Sequence, residues 1–218
     1  MSQGPRSRSS WYLDEPFAED AVWLVAFAAA TGVALHYDAQ AQQDLGIDET
    51  GIDTSTTISH FGLYGSIAGS GGLYWLGSAT RNDYLAETGR RLGEEAIINA
   101  RLVVQGLKLA TNRERSNEGN GRDGVWPHGT RQYESDGAFP SGHSPARWAF
   151  AQVIASDYPS TPVQIGAYAF ALAISTSRVT AREHFLSDVL VGGTFGYLIG
   201  RYVVHHHAKQ LPSFGHFR

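Results

Sequence analysis

Ser177-Arg178 is followed by five residues, then His184, three more residues and Asp188. On one helix, the i to i+4 step stacks His184 and Asp188 on one face, close enough for the carboxylate to bond one imidazole nitrogen. That bond fixes the tautomer and leaves a lone pair on the other nitrogen. The carboxylate then stabilises the cation formed when that nitrogen attacks an electrophile. Arg178 adds a planar fork of donors suited to an oxyanion such as phosphate. Upstream, Phe139-Pro140-Ser141-Gly142-His143 reads as a helix start. Its free N–H groups and the bare Gly142 form an anion cradle, Ser141 adds a hydroxyl donor, and His143 sits at the rim. An imidazole there can donate a proton to a leaving oxygen and later take one from water. Lys108, six residues, then Arg115 place two further cations at the end of a helix closing near Thr111, adding fixed positive charge to the same pocket.

Taken singly, each feature has an ordinary explanation. A His–Asp pair is usually a structural contact, Pro-Ser-Gly-His a turn and a cap, and two cations seven residues apart a solvated helix end. Their occurrence together, in this order, makes coincidence a poor account. Lys108 to Arg115, Pro140 to His143 and Ser177 to Asp188 resemble the three signature motifs of the type 2 phosphatidic acid phosphatase superfamily. That superfamily also includes bacterial non-specific acid phosphatases and vanadium haloperoxidases. The first motif departs from the pattern, reading Arg115-Ser116 where the family has Arg-Pro.

The resemblance implies a helical phosphatase that works through a phosphohistidine. The residue matching His184 attacks phosphorus, the one matching Asp188 orients it, and the one matching His143 protonates the leaving alcohol and then activates water. Lys108, Arg115 and Arg178, with Ser141 and the Gly142 amide, hold the phosphoryl oxygens; no metal or other cofactor is needed. The implied substrate is a phosphorylated small molecule or lipid: a phosphate monoester, or a lipid or isoprenoid phosphate or pyrophosphate. Two other readings stay open. One is a haloperoxidase with vanadate as cofactor in the same pocket, and the other a non-catalytic module that binds an anion or a lipid. The resemblance also implies a periplasmic or membrane-associated location.

The rest of the chain must position these groups. Its 218 residues suffice for one domain with a sizeable core. Seventeen Lys and Arg against 21 Asp and Glu give a net charge of −4, which disfavours nucleic acid as a partner. The hydrophobic share of 42% with 17% charged residues excludes a disordered chain and argues against a conventional multi-pass membrane protein. Cysteine is absent, which removes disulfides, thiolate nucleophiles and cysteine-based zinc sites.

Helical periodicity dominates, so the expected fold class is all-α: a single-domain bundle of about six helices with a long functional loop. A polar segment is expected over 1–20, the helical domain over 21–205 and a tail over 206–218. Helices are expected over Ala21 to Leu35, Asp83 to Thr111, from just after Gly142 with Pro145 in the first turn, Val163 to Ser177, and His184 to about His205. The polar stretch between Thr111 and Phe139 is the functional loop, with Gly119 to Gly129 either a substrate lid or a plain surface loop.

Two windows lack charge for the length of a bilayer span, Phe61 to Thr80 and Tyr158 to Ser177. Their glycines, serines and prolines favour buried helices in a soluble core, with Phe61, Tyr74 and Trp75 read as core side chains in preference to the lining of a lipid-entry groove. Neither a signal peptide nor a clear transmembrane span is visible, though contact with a membrane surface stays possible, and oligomeric state is not encoded in any motif. The Gly65-xxx-Gly69 and Gly192-xxx-Gly196-xxx-Gly200 spacings predict close helix packing. His205-His206-His207 point in different directions on a helix and read as a solvated tail rather than a metal site.

Overall fold

The structure, a computed structural model, describes residues 18–93, 98–111, 113, 115, 116 and 137–208. Caps and glycines divide these described residues into seven helices with no strand: α1 (Ala18–Asp44), α2 (Glu49–Thr80), α3 (Asp83–Arg90), α4 (Ile98–Thr111), α5 (His143–Asp157), α6 (Thr161–Thr180) and α7 (Leu186–Ala208). Asp48 starts α2 by accepting the Gly51 N–H at 2.9 Å. Arg81 ends it in the left-handed region, at φ 55°, and Asn82 caps α3 through the Leu85 N–H. Proline in the first turn of α6 fixes φ where no N–H partner is needed.

The described residues hold one helix more than expected, because the stretch expected over Asp83 to Thr111 is described as two, α3 and α4, with 94–97 outside the described residues. After α3 comes a π-helical turn over 91–93, and α4 begins at Ile98. The close packing of α3 explains its short, fixed course. A Cβ on Gly89 would meet the Tyr74 backbone nitrogen at 2.3 Å, and Arg91 pairs with Asp157 on α5 at 3.0 Å.

α5 is the central element, packed against α6 and α7, and its buried residues lie all round it. Ala149 and Val153 join Leu92 and Val203 in one core cluster, while Ala151 meets Ala167 and Ala171 of α6 in another. The glycine stripe of α7 sets the α5–α7 distance. A Cβ on Gly196 would lie 2.1 Å from the Pro145 carbonyl oxygen, and one on Gly200 would lie 2.8 Å from the Ala149 oxygen. This contact seats the start of α5, which carries His143, against the first turns of α7.

α2 is oriented opposite to expectation. Its buried residues are Ser55, Ser59, Gly62, Ser66, Ser70 and Gly77, whereas Phe61 and Trp75 are 72% and 71% exposed. The small-residue face packs on α3 and α6, which leaves the aromatic face outside, so Phe61, Tyr74 and Trp75 are not core. Close approach on α2 occurs at Gly77, where a Cβ would meet the Ala86 nitrogen at 2.2 Å, and not at Gly65 or Gly69. Among the described residues, no helix is long and apolar enough to cross a membrane. At the other end of the chain α7 continues through the three histidines to Ala208, so the helix outruns its expected end. Most of the expected loop, including Gly119 to Gly129, and most of the expected N-terminal segment lie outside the described residues.

Candidate active site

The ends of α4, α6 and the start of α5 open onto one cleft of about 210 Å³. Lys108, Arg115, Gly142, His143, Arg178 and His184 all line it, together with Arg147 and Glu183. Leu63, Ile67 and Val104 supply an apolar wall. A separate apolar pocket between Phe27, Trp148, Leu172 and Leu190 contains none of these charged groups.

Lys108 occupies the last turn of α4 and is buried, with its Nζ only 3.9 Å from where a Gly142 Cβ would stand. Gly142 precedes the first residue of α5, so the ammonium and the helix N-terminus reinforce each other's positive potential. Ser141 does not line the cleft. Its N–H donates to the Asp188 carbonyl at 3.0 Å, and its buried hydroxyl has no hydrogen-bond partner in the protein. Arg178, in the last turn of α6, is 3% exposed; it donates to the Ser59 hydroxyl at 2.7 Å and pairs with Glu183. Glu183 also holds Arg115, at 2.9 Å, so one carboxylate bridges two of the cleft's cations.

His184 is not on α7 as expected. It lies in the link before the helix, its N–H bonded to the Arg178 carbonyl at 3.2 Å, just beyond Arg182, whose φ of 56° reverses the chain. Asp188 is the third residue of α7, and its Oδ2 reaches back to the Phe185 N–H at 2.8 Å. This is one half of a capping box, and it explains why the helix starts after the histidine. The other oxygen, Oδ1, accepts from Arg113 at 2.6 Å. His184 Nδ1 stands 3.7 Å from Asp188 Oδ2, so the pair is in register without a closed hydrogen bond.

Burial pushes the His184 pKa well below its ordinary value, and the positive charges of Arg178, Lys108 and Arg115 push it the same way. The imidazole is therefore neutral at rest, as a nucleophile must be. Burial raises Asp188 to about 6, against the pull of Arg113, the Phe185 N–H and Lys108. Desolvation lowers Arg178 from its usual value, while Glu183 opposes that fall.

Sequence reasoning missed four residues here. Arg113 and Arg115 are the same type two positions apart, and only the fold separates them: Arg113 turns inward to Asp188 while Arg115 lines the cleft. Arg147, one turn along α5 from His143 and 1% exposed, could have been found from its i+4 spacing. Glu183 and Asp38 carry no motif signal. A metal-binding cluster of three or more His, Cys, Asp or Glu is absent among the described residues.

No curated protein matches the sequence. The fold is similar to that of a transmembrane PAP2-type phosphatidylglycerolphosphate phosphatase from Bacillus subtilis, with a TM-score of 0.60 and 22% identity over 89% of this chain and 96% of that one. The profile of the PAP2 superfamily matches residues 95–212, a span that contains every cleft residue named above except Leu63 and Ile67. With more than half of the chain matched, the protein belongs to the PAP2 superfamily.

Proposed function

We propose that the protein is a metal-independent phosphatase that hydrolyses a lipid phosphate through a phosphohistidine on His184. The observation that carries this reading is the cleft itself, which is lined by two imidazoles together with Lys108, Arg115, Arg147 and Arg178. His184 Nδ1 faces Asp188, so Nε2 attacks phosphorus as the bond to the leaving oxygen breaks. His143 gives its proton to that oxygen, releasing the alcohol. The now neutral His143 takes a proton from water, the hydroxide attacks phosphorus, and cleavage of the P–N bond frees phosphate and His184. Negative charge gathers on the equatorial oxygens, where the fixed cations and the first-turn amides of α5 lower its energy.

The apolar wall supports a lipid leaving group, because Leu63, Ile67 and Val104 offer an alkyl chain a dry path beside the cations. Ile67 is also half exposed and continues into the outward face of α2, with Phe61, Tyr64 and Trp75. An exposed apolar face of this kind supports association with a membrane surface. The test compares release of phosphate from detergent-solubilised lipid phosphates and from a water-soluble chromogenic ester, both in EDTA, with halide oxidation by peroxide after vanadate loading. Metal-independent hydrolysis with preference for the lipid substrates is expected. Halide oxidation without phosphate release would overturn the reading in favour of a haloperoxidase, and neither activity would favour a binding module.

A further inference from the structure

Asp38 lies on α1, outside the family match and far in sequence from every motif, yet it is 4% exposed and faces the base of the site. Its Oδ1 accepts the Ser187 N–H at 3.0 Å, and its Oδ2 accepts the Ser187 hydroxyl at 2.5 Å. The same Oδ2 accepts from Arg113 Nη2 at 2.7 Å. Arg113 Nη1 donates to Asp188 Oδ1 at 2.6 Å and to the Ser187 hydroxyl at 2.7 Å, while the guanidinium lies 4.3 Å from the centroid of the Phe185 ring. A carboxylate, a guanidinium and a second carboxylate thus form a buried chain from α1 to the partner of His184. Capping of α7 accounts for the Ser187 N–H bond. It does not account for a guanidinium fork that spans both carboxylates.

We propose that Arg113 and Asp38 are positioning residues for the reaction, fixing where the Asp188 carboxylate sits relative to His184. With Oδ1 held by Arg113 and Oδ2 by the Phe185 N–H, the carboxylate cannot rotate, and Asp38 holds the guanidinium in turn. The charged and titratable groups around Asp188 are Arg113, Lys108 and His184, with Asp38 behind the guanidinium. Of these, Arg113 is the largest influence opposing the effect of burial on Asp188.

The inference rests on the phosphatase reading, and its test separates the two. Arg113→Gln, Arg113→Lys and Asp38→Asn are compared with the unaltered protein for kcat, KM, inhibition by inorganic phosphate and the pH profile. Asn at 38 keeps an acceptor for the Ser187 N–H, so capping is retained while the charge is lost. In Arg113→Gln, kcat is expected to fall about 100-fold, as misplaced catalytic groups do, with phosphate inhibition within about twofold of the original. The acid limb of kcat/KM should move to higher pH in that variant and stay in place in Arg113→Lys. Asp38→Asn should lower kcat by about tenfold with phosphate inhibition retained, measured below its unfolding temperature, which falls because a buried ion pair has lost one partner. Unchanged kcat and pH profile in Arg113→Gln, or parallel loss of kcat and phosphate binding in Asp38→Asn, would overturn the proposal. Should Arg113→Gln fail to fold, Arg113→Lys and Asp38→Asn decide on the same readings. The ¹⁵N spectrum of the His184 imidazole gives a reading without turnover: Asp38→Asn should change its tautomer balance, and an unchanged spectrum counts against positioning. If the unaltered protein hydrolyses no phosphate ester, the phosphatase reading fails while that spectrum still tests the geometry.

Discussion

Asp188 stands 3.7 Å from Nδ1 of His184 and accepts its short hydrogen bonds from other groups, Arg113 and the Phe185 N–H. The resting pair is poised rather than closed. On the proposed mechanism the ring becomes cationic as Nε2 bonds to phosphorus, and a shift of less than about 1 Å would then bring Nδ1–H into bonding range of the carboxylate.

This arrangement predicts an acid limb in the pH profile. Asp188 must be ionised to stabilise the cation, and its pKa is raised from 3.8 to about 6 by burial. On that mechanism activity is nearly complete about one unit above that pKa, half-maximal near 6, and lost as pH drops further. His184 does not contribute to this limb, because its own pKa lies well below 6.5. An acid limb of kcat/KM governed by one ionisation near 6 is the expected result, and an acid side that stays flat down to pH 4 would contradict it.

Glu183 competes with substrate for Arg115 and Arg178. Glu183→Gln should free both guanidinium groups for an anion and tighten inhibition by inorganic phosphate by about two- to fivefold, the scale of a partly exposed ion pair. Titration of initial rates with phosphate measures it. Weaker inhibition would mean that Glu183 orients the two arginines rather than masking them.

Ser59 supports the site from α2, accepting from Arg178 Nη1 in a buried setting. Ser59→Ala leaves that arm without its acceptor, and kcat/KM is expected to fall about fivefold, equivalent to about 1 kcal/mol. Unaltered kinetics would show that the remaining contacts of Arg178 suffice to hold it.

The α5–α7 seam predicts an effect at a distance. A Cβ at Gly196 would lie 2.1 Å from the Pro145 carbonyl oxygen, well inside contact distance, two residues from His143. Gly196→Ala should cost about 1–3 kcal/mol of stability, as overpacking does, with a larger loss of kcat than of phosphate binding. Chemical denaturation and steady-state kinetics measure the two effects. Gly166→Ala on α6, where a Cβ would meet nothing within 4 Å, serves as the control.

The cleft residues were legible in the sequence because their chemistry depends on residue type and short-range spacing. Lys108, Arg115, Gly142, His143, Arg178 and His184 come together through helix ends, which caps and prolines announce. Ser141 was expected to offer its hydroxyl to the phosphate; the structure places it just behind the cleft lining, its N–H bonded to the Asp188 carbonyl, a long-range bond that no local pattern reports. The start of α7 was misplaced by two residues since Asp188 acts as a cap as well as a partner of the histidine. The orientation of α2 escaped because an apolar aromatic face and a Ser/Gly face are both plausible interiors, and only the close approach of α3 and α6 chooses between them. Asp38 escaped for a related reason: one carboxylate on a long helix has no meaning until Arg113 and Ser187 are beside it.

The most direct test of the account is to trap the covalent intermediate. The enzyme is quenched during turnover of a ³²P-labelled ester and the modified residue identified by mass spectrometry. An acid-labile, alkali-stable phosphoryl group on His184, absent together with turnover in His184→Ala, is the predicted result. Label on another residue, or undiminished turnover in His184→Ala, would contradict it.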